Sequence, residues 1–420
     1  MDEDRGDTGA AVGGGSRAPA ADAEVKRSVE TWLGHIKVLA GDIGARLPTS
    51  EGEARALDYC ERILREAGLR PRTDSFVSTG SVFRPHLPAA AGFLLAFVLY
   101  PVAPPLTACA AAALAAFSLF CEVRELTLRS NPLRALLPHR PSRNVFAVVE
   151  PSEAVRRDIV LIGHVDTQRT PVIFRSPGWM RAYRVYSVLA FASFALQSLA
   201  YLGGAVFGWS WAWPASGAAA VSAVLLIALC LEAEASPSTT GANDNATGAG
   251  LVLTLAGELA SRPLSWSRVW CLCTGCEEAV HEGAKAFFAA HRGRMPNPKA
   301  VAFEMLGCDG PAWVVKEGFV LPLWSDPGLR RLAARVAAEN PELGARPAHL
   351  SGGVTEMSDA ILAGVPAITV IGLTPEGTAP HWHRPSDTVE KMDPGAMARN
   401  YLFVRALLEA MDTPELEPAG

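Results

Sequence analysis

Two long runs without a single Asp, Glu, Lys or Arg, Pro85 to Cys121 and Val185 to Leu231, constrain this chain more than any other feature. Stretches of that length without charge must be covered by protein or by lipid. The first run is broken near its middle by Pro101, Pro104 and Pro105, and the second by the segment GWSWAWP at 208–214. Each arm of the second run is near the roughly 20 residues that a full bilayer span needs, and each arm of the first is a little shorter. Both runs are therefore expected to form hairpins in a membrane, the first either spanning or re-entrant. The tryptophans of the second turn suit a membrane interface. Hydrophobic residues at 49% and charged residues at 19% of the chain are unusual for a soluble enzyme and agree with a lipid bilayer as partner.

A hairpin returns the chain to the side it left, so all remaining segments are expected on one side. That side is rich in arginine: Arg124, Arg129, Arg134, Arg140 and Arg143 follow the first run, and Arg175, Arg181 and Arg184 precede the second. The far turns carry no cation, so the bias of cationic loops toward the cytoplasm places the remaining chain there. Eight cysteines without framework spacing fit the same reducing compartment. The opening stretch has no apolar core of the kind a secretory signal needs, so export by that route is not expected. A net charge of -5 leaves no basic footprint for nucleic acid.

Outside the apolar runs, residues 1–22 are rich in Gly, Ala and Asp and read as a disordered tail. Apolar residues at helical spacing predict helices over Val25 to Leu39 and Ser50 to Ala67, the second opened by a Ser50/Glu53 capping box. The loop between them, GDIGARLPTS, reads as a plain connection. Short apolar segments predict strands at Asn144 to Glu150, Asp158 to Gly163, Arg268 to Thr274, Ala300 to Phe303 and Ala367 to Gly372.

Chemistry-bearing residues follow those strands. His164 and Asp166 sit just past one of them, at the carboxyl edge where α/β proteins place ligands. The histidine can bind a metal while Asp166 orients its other ring nitrogen. In GANDNATGAG, a glycine-flanked turn puts Asp244 ahead of a helix-like run and lets it offer both oxygens to one point, with Asn245 stiffening the turn through its own backbone. Capping that helix is the plainer role. Glu277 and Glu278 open the helical pattern Glu277 to His291, where one carboxylate can hold metal while its neighbour reaches the activated water. Glu304 closes a buried strand, an expensive place for an unpartnered charge. The last segment, HWHRPSDT, contributes His381, His383 and Asp387. His281 reads as a partner or surface residue, Ser358 and Asp359 as structural or substrate-lining, and Cys271, Cys273, Cys276 and Cys308 as free thiols rather than a metal cluster.

Taken in order, HVD, GANDNATG, CEE, FEMLG and HWHRPSDT resemble the family-28 zinc metallopeptidases, a group with bacterial leucyl aminopeptidase, plasma glutamate carboxypeptidase and membrane-bound peptidases of the endoplasmic reticulum. The resemblance covers residues 23–80 and 144–415. It implies two zinc ions bridged by Asp244, with His164 and Glu304 completing one site, Glu278 and His383 the other, Glu277 as general base and Asp166 supporting His164. Two departures stand out. Glu304 replaces the family's usual aspartate, which leaves open the choice between the amino and carboxyl end of a substrate. The interval from Asp166 to Asp244 is lengthened by the second apolar run, which puts the cleft near the membrane surface.

The expected architecture is an α/β zinc-exopeptidase-like domain, a mixed sheet with helices on both faces, formed by 23–84, 122–184 and 232–420. Two membrane hairpins, 85–121 and 185–231, interrupt it. The expected activity is amide hydrolysis, foremost as an aminopeptidase on short peptides. The alternatives are a carboxypeptidase, a hydrolase of lipid-linked or N-acyl amino acid amides, and a membrane scaffold with an inactive peptidase fold.

Overall fold

The computed structural model describes residues 18–414 except 104–105, 320 and 351. Most of the expected tail lies outside the described residues, but a helix already begins at Ala18 and runs to Ile36. The second helix, Glu51–Glu66, is capped on one side as expected, with Ser50 Oγ accepting the Glu53 N–H at 3.2 Å. The reciprocal half of the box does not form. The Glu53 carboxylate instead accepts the neighbouring Thr49 N–H at 2.9 Å and two partners distant in sequence, the Ser142 hydroxyl at 2.7 Å and the Cys276 N–H at 2.8 Å.

The strands are β1 (Arg72–Ser78), β2 (Arg140–Val149), β3 (Arg157–His164), β4 (Ser267–Thr274), β5 (Lys299–Glu304), β6 (Pro311–Glu317), β7 (Leu323–Trp324), β8 (Arg346–His349) and β9 (Ala367–Gly372). They form one mixed sheet in the order β1-β2-β4-β3-β5-β9-β6-β7, with β8 beside β6. β3 runs parallel to β4 and β5, and β5 parallel to β9, while β1, β2, β6 and β7 pair antiparallel around this centre. Strands β3, β4, β5 and β9 are buried along nearly their whole length because helices cover both faces, which is why they read as unbroken apolar runs. Ile159 and Leu161 of β3 pack into the core with Trp32, Leu57, Leu255 and Phe403, whereas Val160 and Ile162 face Phe287, Phe288 and Met357. Gly163 lies against the helix Thr247–Ser261, where an added Cβ would come 2.4 Å from the Gly248 carbonyl carbon.

The two apolar runs form helices whose limits differ from those expected. Helix His86–Leu99 is short, Leu106–Leu126 continues through Glu122, Arg124 and Glu125, and Pro177–Phe207 starts ahead of the charge-free run, capped by Ser176 Oγ accepting the Trp179 N–H. The return arm is Gly217–Ala235. Absence of charge marks apolar surface, whereas a helix ends where its backbone finds a cap, so the two boundaries need not coincide. These helices pack into a single bundle with its own core, in which Phe93 stacks on Phe194 at 4.0 Å and Tyr100 on Tyr201 at 4.3 Å. Leu106–Leu126, Pro177–Phe207 and Ala212–Ala235 are long and apolar enough to cross a membrane. The outside of the bundle leaves Leu106 78%, Val188 70%, Leu199 66% and Phe207 71% exposed. Each such side chain forgoes about 1.5–3 kcal/mol if it meets water, so the bundle surface calls for an apolar surrounding.

Candidate metal centre

Parallel β3, β4, β5 and β9 end on one edge of the sheet, and the expected site residues meet there. His164 is the last residue of β3, Glu304 the last of β5, and Glu277 and Glu278 follow β4. Asp244 and His383 arrive on loops. His164 Nε2 lies 3.5 Å from Asp244 Oδ1, 3.4 Å from Glu304 Oε1 and 3.7 Å from Glu277 Oε2. His383 Nε2 lies 3.1 Å from both Asp244 Oδ2 and Glu278 Oε1. The donor atoms of His164, Asp244 and Glu304 all fall within 4.8 Å of one another, as do those of Asp244, Glu278 and His383, and all five residues are buried. Two ligands held about 2.1 Å from a tetrahedral zinc are about 3.4 Å apart, so these separations and this imidazole and carboxylate set fit such an ion twice, with Asp244 common to both.

Polar side chains that are themselves buried hold the loops in place. Arg46 is fully buried and donates to the carbonyls of Val165, Leu39, Gly44, Thr240 and Gly241 at 2.5–2.8 Å. It ties the loop after β3 to the loop that carries Asp244. A carbonyl left unsatisfied in such a place costs about 1–3 kcal/mol, so the segment GDIGARLPTS is a structural clasp and not the plain connection expected of it. Asp387 accepts the Asn243 and Asp244 N–H groups at 2.6 and 3.0 Å. Asn245 stiffens its turn by accepting the Gly248 N–H at 2.8 Å, and it also donates to Phe303 O at 2.7 Å, which locks the Asp244 turn to the end of β5.

Asp166 sits beside His164 Nδ1 as expected and does a second job as well. The His164 Nδ1–H is taken by the backbone carbonyl of Asp166 at 3.1 Å, while its carboxylate, 3.6 Å from that nitrogen, accepts the N–H groups of Glu277 and Glu278 at 3.1 and 2.9 Å. Asp166 therefore fixes the paired glutamates directly and His164 through its main chain. Gln168, which no sequence pattern singles out, donates to Glu278 Oε2 at 2.9 Å. His381 stays out of the cluster and bonds the Ser386 hydroxyl at 2.8 Å.

The expected helix from Glu277 to His291 is broken in two. A short turn, Glu277–Ala279, is separated from the helix Glu282–His291 by Val280 and His281, both left-handed with φ of 69° and 55°. A β-branched residue rarely adopts that conformation.

The electrostatics follow from crowding carboxylates and imidazoles away from water. Burial opposes charge on His164 and His383, but Glu277 and Glu304 around the first ring, and Glu278 and Asp244 around the second, outweigh it. The His164 pKa is held well above the usual histidine range and that of His383 is raised to about 10. Burial raises Glu304 to about 8 and Glu277 to about 7 against the pull of the neighbouring histidines. Burial also opposes charge on Asp244, but its contacts to His164 and His383 prevail and hold it well below the ordinary carboxylate range.

Residues 221–408 match the sequence pattern of Peptidase family M28. None of the curated proteins compared matches the chain. Among solved structures, the chain is similar to an aminopeptidase from Aneurinibacillus sp. strain AM-1, with a TM-score of 0.54, 13% identity, and 95% of this chain and 98% of that one covered. It is similar to a zinc aminopeptidase from Bacillus subtilis at TM-score 0.54 and 12% identity, covering 93% and 96%. A glutaminyl cyclase from Bacteroides thetaiotaomicron gives 0.53 and 13%, covering 91% and 97%. At these identities the likeness is one of fold. The family match supports a peptidase or related hydrolase, and the solved structures support the fold.

Proposed function

We propose that the protein is a membrane-anchored di-zinc amide hydrolase, foremost an aminopeptidase acting on short peptides, with its catalytic domain in the cytoplasm. The observation that carries this reading is the sharing of Asp244 between two buried three-residue donor groups at one sheet edge. His164 and Glu304 would hold one ion, Glu278 and His383 the other. Zinc in such a site supplies Lewis acidity and a water of lowered pKa. Glu277, buried beside the cluster with Oε2 facing His164, would be the general base, holding a proton at Oε2 and passing it to the leaving amine. Asp166 keeps Glu277 and Glu278 in register during this transfer.

A second reading, hydrolysis of an N-acyl or lipid-linked amino acid amide, is favoured by one contact. Phe174, just ahead of the helix Pro177–Phe207, lies edge-on to His383 with ring centres 4.5 Å apart, and Arg384 Nε donates to its carbonyl at 2.8 Å. The base of an apolar helix thus borders the candidate site. Metal analysis of the detergent-purified protein, combined with a substrate screen, separates the readings. Peptides with a free amino end should turn over fastest. Preference for N-acylated amino acids selects the second reading, preference for a free carboxyl end selects a carboxypeptidase, and cyclisation of an N-terminal glutamine without hydrolysis selects the activity named in the glutaminyl cyclase relatives. Metal-bound protein inactive on all of these would leave the scaffold reading standing.

Topology gives an independent test. The Trp-rich turn at 208–214 and the arginine-rich flanks should lie on opposite sides. A cysteine label introduced at Gly208 is expected to react from outside sealed cells, and labels at Ser152 or Pro341 only after permeabilisation. The reverse pattern would remove the cytoplasmic placement.

A further inference from the structure

The sequence leaves His281 as a partner or surface residue, and in the structure both of its ring nitrogens meet a buried carboxylate. His281 Nδ1 lies 2.6 Å from Asp359 Oδ2, and Nε2 lies 3.0 Å from Glu277 Oε1. All three side chains are buried, at 3% exposure for His281, 3% for Asp359 and 7% for Glu277. The backbone is bent to reach this arrangement. Cys276, Val280 and His281 have φ of 55°, 69° and 55°, so the short turn carrying the paired glutamates is bounded on both sides by left-handed residues that are not glycine. Each such residue is costly, and strain of this kind persists where the surroundings over-determine it.

Asp359 is fixed in its turn. It lies on the helix Glu356–Leu362, whose start is held by Glu317, with Oε1 accepting the Thr355 N–H at 3.1 Å and the Ser358 hydroxyl at 2.5 Å, and Oε2 the Thr355 hydroxyl at 2.9 Å. From the sheet outward, the chain of contacts therefore runs Glu317, the helix carrying Asp359, His281, Glu277.

We infer that Asp359 and His281 form a relay that positions Glu277, holding its Oε1 so that Oε2 alone faces the His164, Asp244 and Glu304 group. The inference rests on the reading of Glu277 as the general base. A glutamate has three side-chain torsions, and in the absence of this contact Glu277 has only its backbone fixed, through Asp166. The ring of His281 supplies the missing restraint from the side opposite the cluster. Asp359 selects the ring orientation by accepting from Nδ1–H, and Nε2–H donates to Glu277 Oε1, so the ring bridges the two carboxylates as an imidazolium with a donor on each side. His281 and Asp359 are positioning residues, since neither approaches the donor atoms of the five candidate ligands as closely as Glu277 does.

The test is a double-mutant cycle on the full-length, zinc-loaded protein in detergent, with kcat, KM and metal content measured for each variant. His281→Ala and Asp359→Asn are each expected to lower kcat about 10- to 100-fold, the scale of losing a hydrogen bond to a charged group, with KM and metal content close to the parent. In a Glu277→Gln background the same two changes should cost less than about threefold, because the group they position has already been disabled. An equal proportional loss in both backgrounds, or loss of metal from either single variant, overturns the relay. Histidine-selective 15N NMR of the metal-free protein adds a readout that needs no turnover. A His281 Nδ1–H protected from solvent exchange in the parent and in Glu277→Gln, and lost in Asp359→Asn, supports the relay even if His281→Ala fails to fold, and its absence from the parent overturns it. Equal turnover by the parent and Glu277→Gln would instead show that Glu277 is not the base, a failure of the functional reading that the NMR signal leaves distinguishable.

Discussion

Replacing Asp244 with asparagine is expected to empty both metal positions and abolish turnover. Its two carboxylate oxygens face different histidines, Oδ1 at 3.5 Å from His164 Nε2 and Oδ2 at 3.1 Å from His383 Nε2, so a single change removes a ligand from each group. Asparagine keeps the shape but loses the charge, and its amide nitrogen is no ligand for zinc. The loss of affinity should exceed the roughly 10- to 100-fold that removing an outer hydrogen-bond partner of a metal ligand costs. Thermal unfolding of the metal-free protein should move to lower temperature, because the carboxylate's contacts to His164 and His383 are lost, but the turn itself should persist. The turn is held by Asp387 and Asn245, and Asp244 enters that network through its own backbone N–H. Metal content by elemental analysis, beside the melting curve, checks the prediction. An Asp244→Asn protein that retained two ions per chain and normal turnover would sink the shared-ligand assignment.

Glu277→Gln should separate chemistry from metal binding. The substitution preserves volume, and the amide oxygen can still accept from His281 Nε2, which turns the amide NH2 toward the cluster where a proton must be received. Turnover should fall about 10²- to 10⁴-fold, the usual contribution of a general base, with both ions retained. The alternative outcome is informative, because Glu277 Oε2 is only 3.7 Å from His164 Nε2. If metal content drops in proportion to activity, Glu277 is a ligand and the base must be sought elsewhere.

The centre of the sheet was legible because β3, β4, β5 and β9 are buried on both faces and so carry unbroken apolar runs. The peripheral strands β1, β6, β7 and β8 were not foreseen. β1 half-buries Asp74 and Phe76 while Val77 is exposed, and β7 is two residues long, so neither carries an apolar alternation in its sequence. The residues proposed to hold metal were legible for a different reason: they are charged or polar groups at the ends of buried strands, where an unpartnered charge is costly and its presence calls for a partner.

Asn245 and Asp166, which help hold those groups in place, were also marked by their neighbours in sequence, but other supporting residues left less trace. Arg46 stands in what reads as an ordinary Gly/Pro loop, and its five carbonyl partners come from segments up to 195 residues away. Nothing local distinguishes it from a solvated arginine. His281 and Asp359 are separated by 78 residues, and the backbone that brings them together departs from the helix that local propensity predicts. In the same way the sequence specified two apolar hairpins but not that they pack into one bundle, where Phe93 meets Phe194 and Gln197 donates to the Phe93 carbonyl. Composition and period are set by the surroundings of each residue along its own element, so they determined the sheet centre, the apolar helices and the candidate ligands. Hydrogen bonds between loops depend on which elements become neighbours, and that was decided only when the sheet order closed and brought the ends of β3, β4, β5 and β9 to one edge.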